Sequence, residues 1–197
     1  PRLSLGMCYV LCGDYGKAKK LLEEVLEFAR TIGCRYLGTP ARFFLAVVLT
    51  AEGRFCEGMR MLTDARRWWA ENRALWRYTF SELIIGDIYA ALARRAAPLS
   101  RASIVKNGLF LLKTLPFAAR NAAYHYRRAI ELAQRIGAGV IEGQAHLSLG
   151  RLYMARKEHR MAVACFTTAR SRFEVCGAGV LLELAEQELR LMGESKE

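Results

Sequence analysis

Four segments of this chain repeat one pattern at fixed steps. Leu5-Gly6-x-x-Tyr9, Leu45-Ala46-x-x-Leu49, Ile85-Gly86-x-x-Tyr89 and Leu149-Gly150-x-x-Tyr153 each set a small residue after an aliphatic one, with a larger apolar residue three places on. The small residues stand at 6, 46, 86 and 150, in steps of 40, 40 and 64. The last step exceeds the period by 24, as a repeat carrying an insertion would. A second series keeps the same phase. Gly33, Gly137 and Gly177 follow Gly6, Gly86 and Gly150 by 27, 51 and 27, and the excess of 24 recurs in the middle term. A fixed period of this size points to stacked helical hairpins, because one hairpin cannot bury its apolar face alone. The expected fold is all-α.

Spacing and turn residues divide the chain into hairpins. The first runs over 1–12 and about 14–32, turning at Gly13-Asp14-Tyr15-Gly16, with Gly33 ending its second helix in the left-handed conformation. The second covers about 41–52 and 55–71 and turns at Gly53; Thr39-Pro40 reads as its start, threonine capping and proline first in the helix. The third begins near Leu75, runs to about Arg95, and resumes at Phe117–Ile136 after an insertion over about 96–116. The fourth spans about 140–156 and 159–176. Beyond Gly177-Ala178-Gly179, residues 180–192 read as a closing helix with one polar face.

The insertion is too apolar for a floppy arm. It contains Leu99, Ile104, Val105, Leu109, Phe110, Leu111, Leu112 and Leu115, and Pro98 with Ser100 marks a helix start. An ordered helix is expected, with Ile104, Leu109, Phe110 and Leu112 as its packing face, lying near Leu83, Leu147 and Met154.

The repeated pattern resembles the tetratricopeptide repeat, W-x2-L-G-x2-Y followed by A-x3-F and A. The fourth unit fits best, with Leu149, Gly150 and Tyr153, then Ala162, Phe166 and Ala169. The first gives Leu5, Gly6, Tyr9 and Ala18, with Leu22 in the aromatic slot. The third gives Ile85, Gly86 and Tyr89, then Ala122, Tyr126 and Ala129 beyond the insertion. The second departs, with Ala46 for glycine and Gly58 for alanine, and the tryptophan slot is lost throughout, His146 standing there in the fourth unit. A period of 40 against the usual 34 requires longer helices or longer linkers. The resemblance implies an alpha-alpha superhelix of four hairpins over 1–197, with the insertion in the third and a C-terminal capping helix. A narrower likeness rests on Gly108-Leu-Phe-Leu-Leu-Lys113, Leu115-Pro-Phe-Ala118 and Arg128-Ala-Ile-Glu-Leu-Ala133. These are similar to the C-terminal helical region of bacterial signalling proteins in which a nucleotide-cyclase or ATPase module precedes such repeats. Pro1-Arg2-Leu3 already lies part-way along a first helix, so further sequence is expected before residue 1.

In such arrays the first helices line a concave face. That implies a groove from Leu3, Met7 and Val10; Phe43, Val47 and Thr50; Leu83, Asp87 and Ala90; and Leu147, Arg151 and Met154. The groove is apolar with one acid and one base. It lacks the lysine and asparagine set by which the family's carboxylate receptors hold a peptide terminus. The partner implied is therefore an apolar helix or peptide, from another protein or from an N-terminal domain of the same one.

At 197 residues and 53% hydrophobic, the chain can bury a continuous core, and no stretch approaches the ~20 apolar residues of a spanning helix. Its six cysteines form no C-x-x-C pair, and Cys8, Cys165 and Cys176 sit in helical runs, which reads as reduced structural thiols of a cytosolic protein and not a metal set. No cofactor motif is present. Gly13-Asp-Tyr-Gly16-Lys17 lacks the spacing of a phosphate loop, and Ser103-Ile-Val-Lys106 lacks the strings that complete an acylating-serine site. The three histidines are isolated, with His125 and His159 read as surface residues. A non-enzymatic scaffold follows.

Net charge is +11, spread along helices whose polar faces it would solvate. One cluster stands apart. Arg66, Arg67, Trp68, Trp69, Arg73, Trp76 and Arg77 hold all three tryptophans, and such residues suit both protein hot spots and unpaired bases. Nucleic acid is thus the alternative partner. The competing reading has Trp69 and Trp76 sealing a junction between hairpins.

Overall fold

The structure is a computed structural model that describes residues 1–94 and 101–194. Its helices are α1 (Arg2–Leu11), α2 (Tyr15–Thr31), α3 (Arg35–Ala51), α4 (Phe55–Glu71), α5 (Leu75–Ala93), α6 (Arg101–Thr114), α7 (Ala118–Ile136), α8 (Gly139–Ala155), α9 (His159–Val175) and α10 (Gly179–Glu194), with a 3-10 turn over Leu115–Phe117. No strand occurs among the described residues.

The period of 40 is closed by longer helices. In the second hairpin α3 and α4 have 17 residues each, and the turns after them take three apiece. Each such turn passes through one residue with positive φ. These fall at 13, 33, 53, 73, 137, 157 and 177, every 20 residues apart from the inserted stretch. At Gly33 the left-handed residue lets the Cys34 N–H reach back to the Ala29 carbonyl at 2.9 Å, satisfying one of the open carbonyls at the end of α2. Arg73 and Lys157 adopt the same conformation at φ 54° and 61°, where a Cβ crowds the following carbonyl. Lys157→Gly is therefore expected to stabilise the protein by ~1 kcal/mol, read as a higher denaturation midpoint with unchanged slope.

This register also moves one boundary. The second hairpin starts at Arg35, not at Thr39-Pro40, and Pro40 lies buried inside α3. A start at residue 39 would have needed a longer turn after Gly33. The three-residue turn prevails, although the proline gives up the helix bond to the carbonyl of Tyr36.

The contacts divide the helices into two compact units, one of α1–α4 with α6, the other of α5 with residues 115–194. In the first, α1 pairs with α2 and α3 with α4, while α3 also packs on α1 and α2. In the second, α5 pairs with α7 across the insertion, α8 with α9, and α10 covers α9.

Within each hairpin the small residue meets the large slot residue. A Cβ added at Gly6, Gly86 or Gly150 would stand 3.0, 2.7 or 2.5 Å from Leu22, Tyr126 or Phe166. All three partners are fully buried. In the second hairpin the two small positions exchange roles. A Cβ at Gly58 would stand 2.8 Å from the Ala46 carbonyl oxygen and 2.5 Å from the Thr50 methyl, so the close approach is made from α4. The degeneracy of that repeat is a swap that preserves the packing distance.

The insertion contains α6, but its face differs from expectation. Leu109 and Leu112 are 68% and 73% exposed, Phe110 is half-buried, and the buried side chains among those described are Asn107 and Leu111. Pro98, Leu99 and Ser100 lie outside the described residues, as do the side chains of Ile104 and Val105. The anchor is polar. Asn107 Oδ1 accepts the Cys56 N–H at 3.0 Å and its Nδ2 donates to the Gly53 carbonyl at 2.8 Å. Cys56 lies in the first turn of α4, where helix geometry leaves N–H groups open, and Arg54 provides no side-chain cap there. Asn107 thus caps α4 from 51 residues away. The helix it belongs to rests on the outer, second-helix layer of its unit instead of the first-helix face. Asn107→Leu should cost ~1–3 kcal/mol, and limited proteolysis should then cut within 101–114 well before the wild-type chain is cut there.

Candidate protein-binding face

The first helices carry every position of the expected groove, and the structure sorts those positions by depth. In the unit of α1–α4, Val10, Phe43 and Thr50 are buried, whereas Leu3, Met7 and Val47 are half-exposed. Phe43 packs edge-on against Phe44 and tilts against Trp69 at 4.9 Å between ring centres, so its ring is core. Thr50 turns its hydroxyl inward, Oγ1 donating to the Val47 carbonyl at 2.8 Å. In the other unit Leu83, Ala90 and Leu147 are buried, and Asp87, Arg151 and Met154 are half-exposed.

The acid and the base of this face are both engaged within the fold. Asp87 accepts from Tyr126 Oη at 2.8 Å and from Ser148 Oγ at 3.1 Å, which ties α5, α7 and α8 together. Arg151 Nε meets Glu188 of α10 at 2.6 Å. Burial pushes the Asp87 carboxyl above its usual range, against the pull of the two hydroxyls and of Arg94 and Arg151. Burial likewise raises the Tyr126 phenol, helped by the neighbouring Asp87 charge.

The shift on Asp87 has a sign that can be measured. A carboxyl whose folded pKa lies above its unfolded value of 3.8 holds its proton more tightly when folded. Its contribution to stability is present below the unfolded pKa and is lost as pH rises through the folded one. Asp87→Asn keeps an oxygen for Tyr126 and Ser148 and has no charge to bury. Its stability relative to wild type should therefore improve between about pH 3 and pH 7. Urea melts at the two pH values check this, and a constant difference would contradict it.

The arginine–tryptophan cluster divides between the two units, with residues 66–73 in one and Trp76 and Arg77 in the other. Trp69 is buried on Phe43, with its Nε1 lacking a hydrogen-bond partner, and Trp68 is half-buried with Tyr36 edge-on at 5.1 Å. Trp76 is 57% exposed and stacks on Phe80 at 5.6 Å. Arg67, Arg73 and Arg77 are exposed and Arg66 is half-exposed.

Sequence reasoning missed one site. His125, expected at the surface, is half-buried with Nδ1 2.6 Å from Oε2 of Glu82, whose side chain is 0% exposed. The ring of Tyr89 stacks on the imidazole at 5.5 Å and Tyr124 meets it edge-on. The signal was present in Phe80-Ser-Glu82-Leu-Ile-Ile85, an acid inside an apolar run. His146 fits the core-facing slot assigned to it; it is half-buried with Nδ1 unpartnered, and burial lowers its pKa. The thiols are less structural than expected, since only Cys165 is buried and Cys8 and Cys176 are exposed.

The first hairpin carries a family match. Residues 2–32, which are α1 and α2, match the family model of the tetratricopeptide repeat. That hairpin is similar to a tetratricopeptide repeat. The consecutive hairpins that follow have the architecture of such repeats, with the small-to-large contact at the positions of the motif. No curated protein matches the chain. Tetratricopeptide repeats generally mediate protein–protein interaction, and their all-helical fold is typically non-catalytic. No helix among the described residues is long and apolar enough to cross a membrane.

Proposed function

We propose that this tetratricopeptide chain is a non-catalytic scaffold that binds an apolar helix or peptide of a protein partner on its first-helix faces. One observation carries the reading. The ionic groups of those faces, Asp87 and Arg151, are engaged by Tyr126, Ser148 and Glu188, so the atoms left to a ligand are mainly the apolar ends of Met7 and Val47 in one unit and Met154 in the other. Methionine adapts its shape to a partner, which suits recognition by packing. Val10, Phe43, Thr50, Leu83 and Leu147 support these positions from beneath. The likeness of residues 108–133 to bacterial signalling proteins supports a setting as the regulatory or sensory C-terminal part of a larger cytosolic protein.

The test places a photo-crosslinking residue at Val47, at Met154, and at exposed Arg160 of α9 as a control, in cells that make the whole natural protein. The reading expects one protein adduct shared by positions 47 and 154, absent at 160, and lost when Val47 or Met154 is replaced by glutamate. Adducts of equal yield at all three positions would overturn it. Binding of single-stranded RNA or duplex DNA that weakens steeply with salt would put the nucleic-acid alternative in its place.

A further inference from the structure

The outer side of the first unit holds a concavity that the protein-binding reading leaves unused. α3 packs on both α2 and α4, and the space left between these three helices is a groove of about 320 Å³. Its volume falls at the lower end of small-ligand sites. Three arginines line it, Arg30 from α2 and Arg35 and Arg42 from α3, and Asp64 of α4 is the one acidic residue of its lining. Trp68 of α4 forms an aromatic wall, and Gly38 leaves the floor without a side chain.

The lining of this groove sets three arginines against one aspartate. Arg2, Arg54, Arg128, Arg156, Arg172 and Arg190 each pair with a carboxylate. Arg30 pairs with Glu27 at 2.7 Å. Arg35 and Arg42 have no carboxylate partner among the described residues, although each faces the same concavity. They lie seven residues apart on one face of α3, two turns along it. Like charges gathered in a concave site raise the local concentration of an anion and favour its binding. Guanidinium groups match phosphate oxygens by paired N–H donors. Trp68 adds a flat apolar face beside them, and Asp64 an acceptor for a hydroxyl or amino group.

We propose that this groove binds a small phosphate ester carrying a flat ring, of which a nucleoside monophosphate is the simplest. Arg35 and Arg42 hold the phosphate, Trp68 takes the ring, and Asp64 accepts from the sugar or base. The site is separate from the first-helix faces, so its failure and theirs are independent.

Calorimetric titration of the full 197-residue chain with AMP, inorganic phosphate and adenosine tests it. AMP should bind about tenfold tighter than either fragment, because both halves of the site contribute. The double variant R35Q/R42Q, altering two exposed side chains, should bind AMP no better than adenosine. Trp68→Leu should reduce AMP to the level of inorganic phosphate, with its far-ultraviolet dichroism unchanged. R156Q/R160Q, distant in sequence, with Arg156 in the turn after α8 and Arg160 on α9, should bind AMP as wild type does. AMP binding no tighter than phosphate, or binding by R35Q/R42Q equal to wild type, would overturn the assignment. So would loss of AMP binding in R156Q/R160Q, since that would mark a diffuse effect of net charge.

Discussion

Phe166→Ala should lower stability by ~3–5 kcal/mol, the range for removing a buried aromatic side chain. The ring is fully buried between α8 and α9 and lies so close to Gly150 that a Cβ there would stand 2.5 Å from it. Truncation opens a void that the backbone of Gly150 cannot fill, so the cost includes the cavity as well as the lost burial. The reverse change, Gly150→Ala, overpacks the same contact and should cost ~1–3 kcal/mol. The second hairpin supplies the remedy. At the equivalent positions it has Ala46 and Leu62, both fully buried, in place of glycine and an aromatic. The double variant G150A/F166L copies that pair and should be more stable than G150A alone. Urea denaturation of wild type, G150A, F166L and the double variant measures the cycle. Additive losses in the double variant would mean that the pair is not the unit of packing.

This contact explains why so much of the fold was legible from the residues. Small-to-large pairing at a separation of 16 within a hairpin is a local rule, and it recurs at Gly6 with Leu22 and at Gly150 with Phe166. Even the insertion could be placed, because it shifts Gly86 and Tyr126 apart without changing their contact. The positive-φ glycines at 13, 33, 53, 137 and 177 were an equally local signal, and their spacing of 20 sets the helix ends better than Thr39-Pro40 does. What could not be read is what depends on partners distant in sequence. Asn107 looks like a solvent residue until α4 needs a cap, and α6 then turns Leu109 and Leu112 outward. Asp87 and Arg151 look like groove charges until Tyr126, Ser148 and Glu188 meet them. The periodicity marked the lining of the face, but it carried no information on which of those groups the fold itself consumes.

The Glu82–His125 pair belongs to the same class of hidden partners, and its removal should have the second large effect. Glu82 is fully buried on α5 and His125 Nδ1 lies 2.6 Å from its carboxylate across the interrupted hairpin. Withdrawing one member of a buried pair leaves the other desolvated with less compensation, at a cost of ~3–5 kcal/mol. His125→Leu should therefore destabilise the unit of α5 and α7–α10 by about that amount, near 3–5 kcal/mol. The change also removes the stacking of the imidazole on Tyr89 and its edge contact with Tyr124, so packing must be separated from the polar contact with Glu82. His125→Phe does so, since it keeps a ring in place and should still lose most of the same stability. Glu82→Leu with His125→Leu replaces both polar groups by apolar ones of similar bulk, and such exchanges are often neutral or stabilising. The double variant should accordingly be more stable than His125→Leu alone, with a coupling of at least ~1 kcal/mol in the cycle. If the two single losses simply add, the pair contributes no mutual stabilisation, and Glu82 is held in the core by its other contacts.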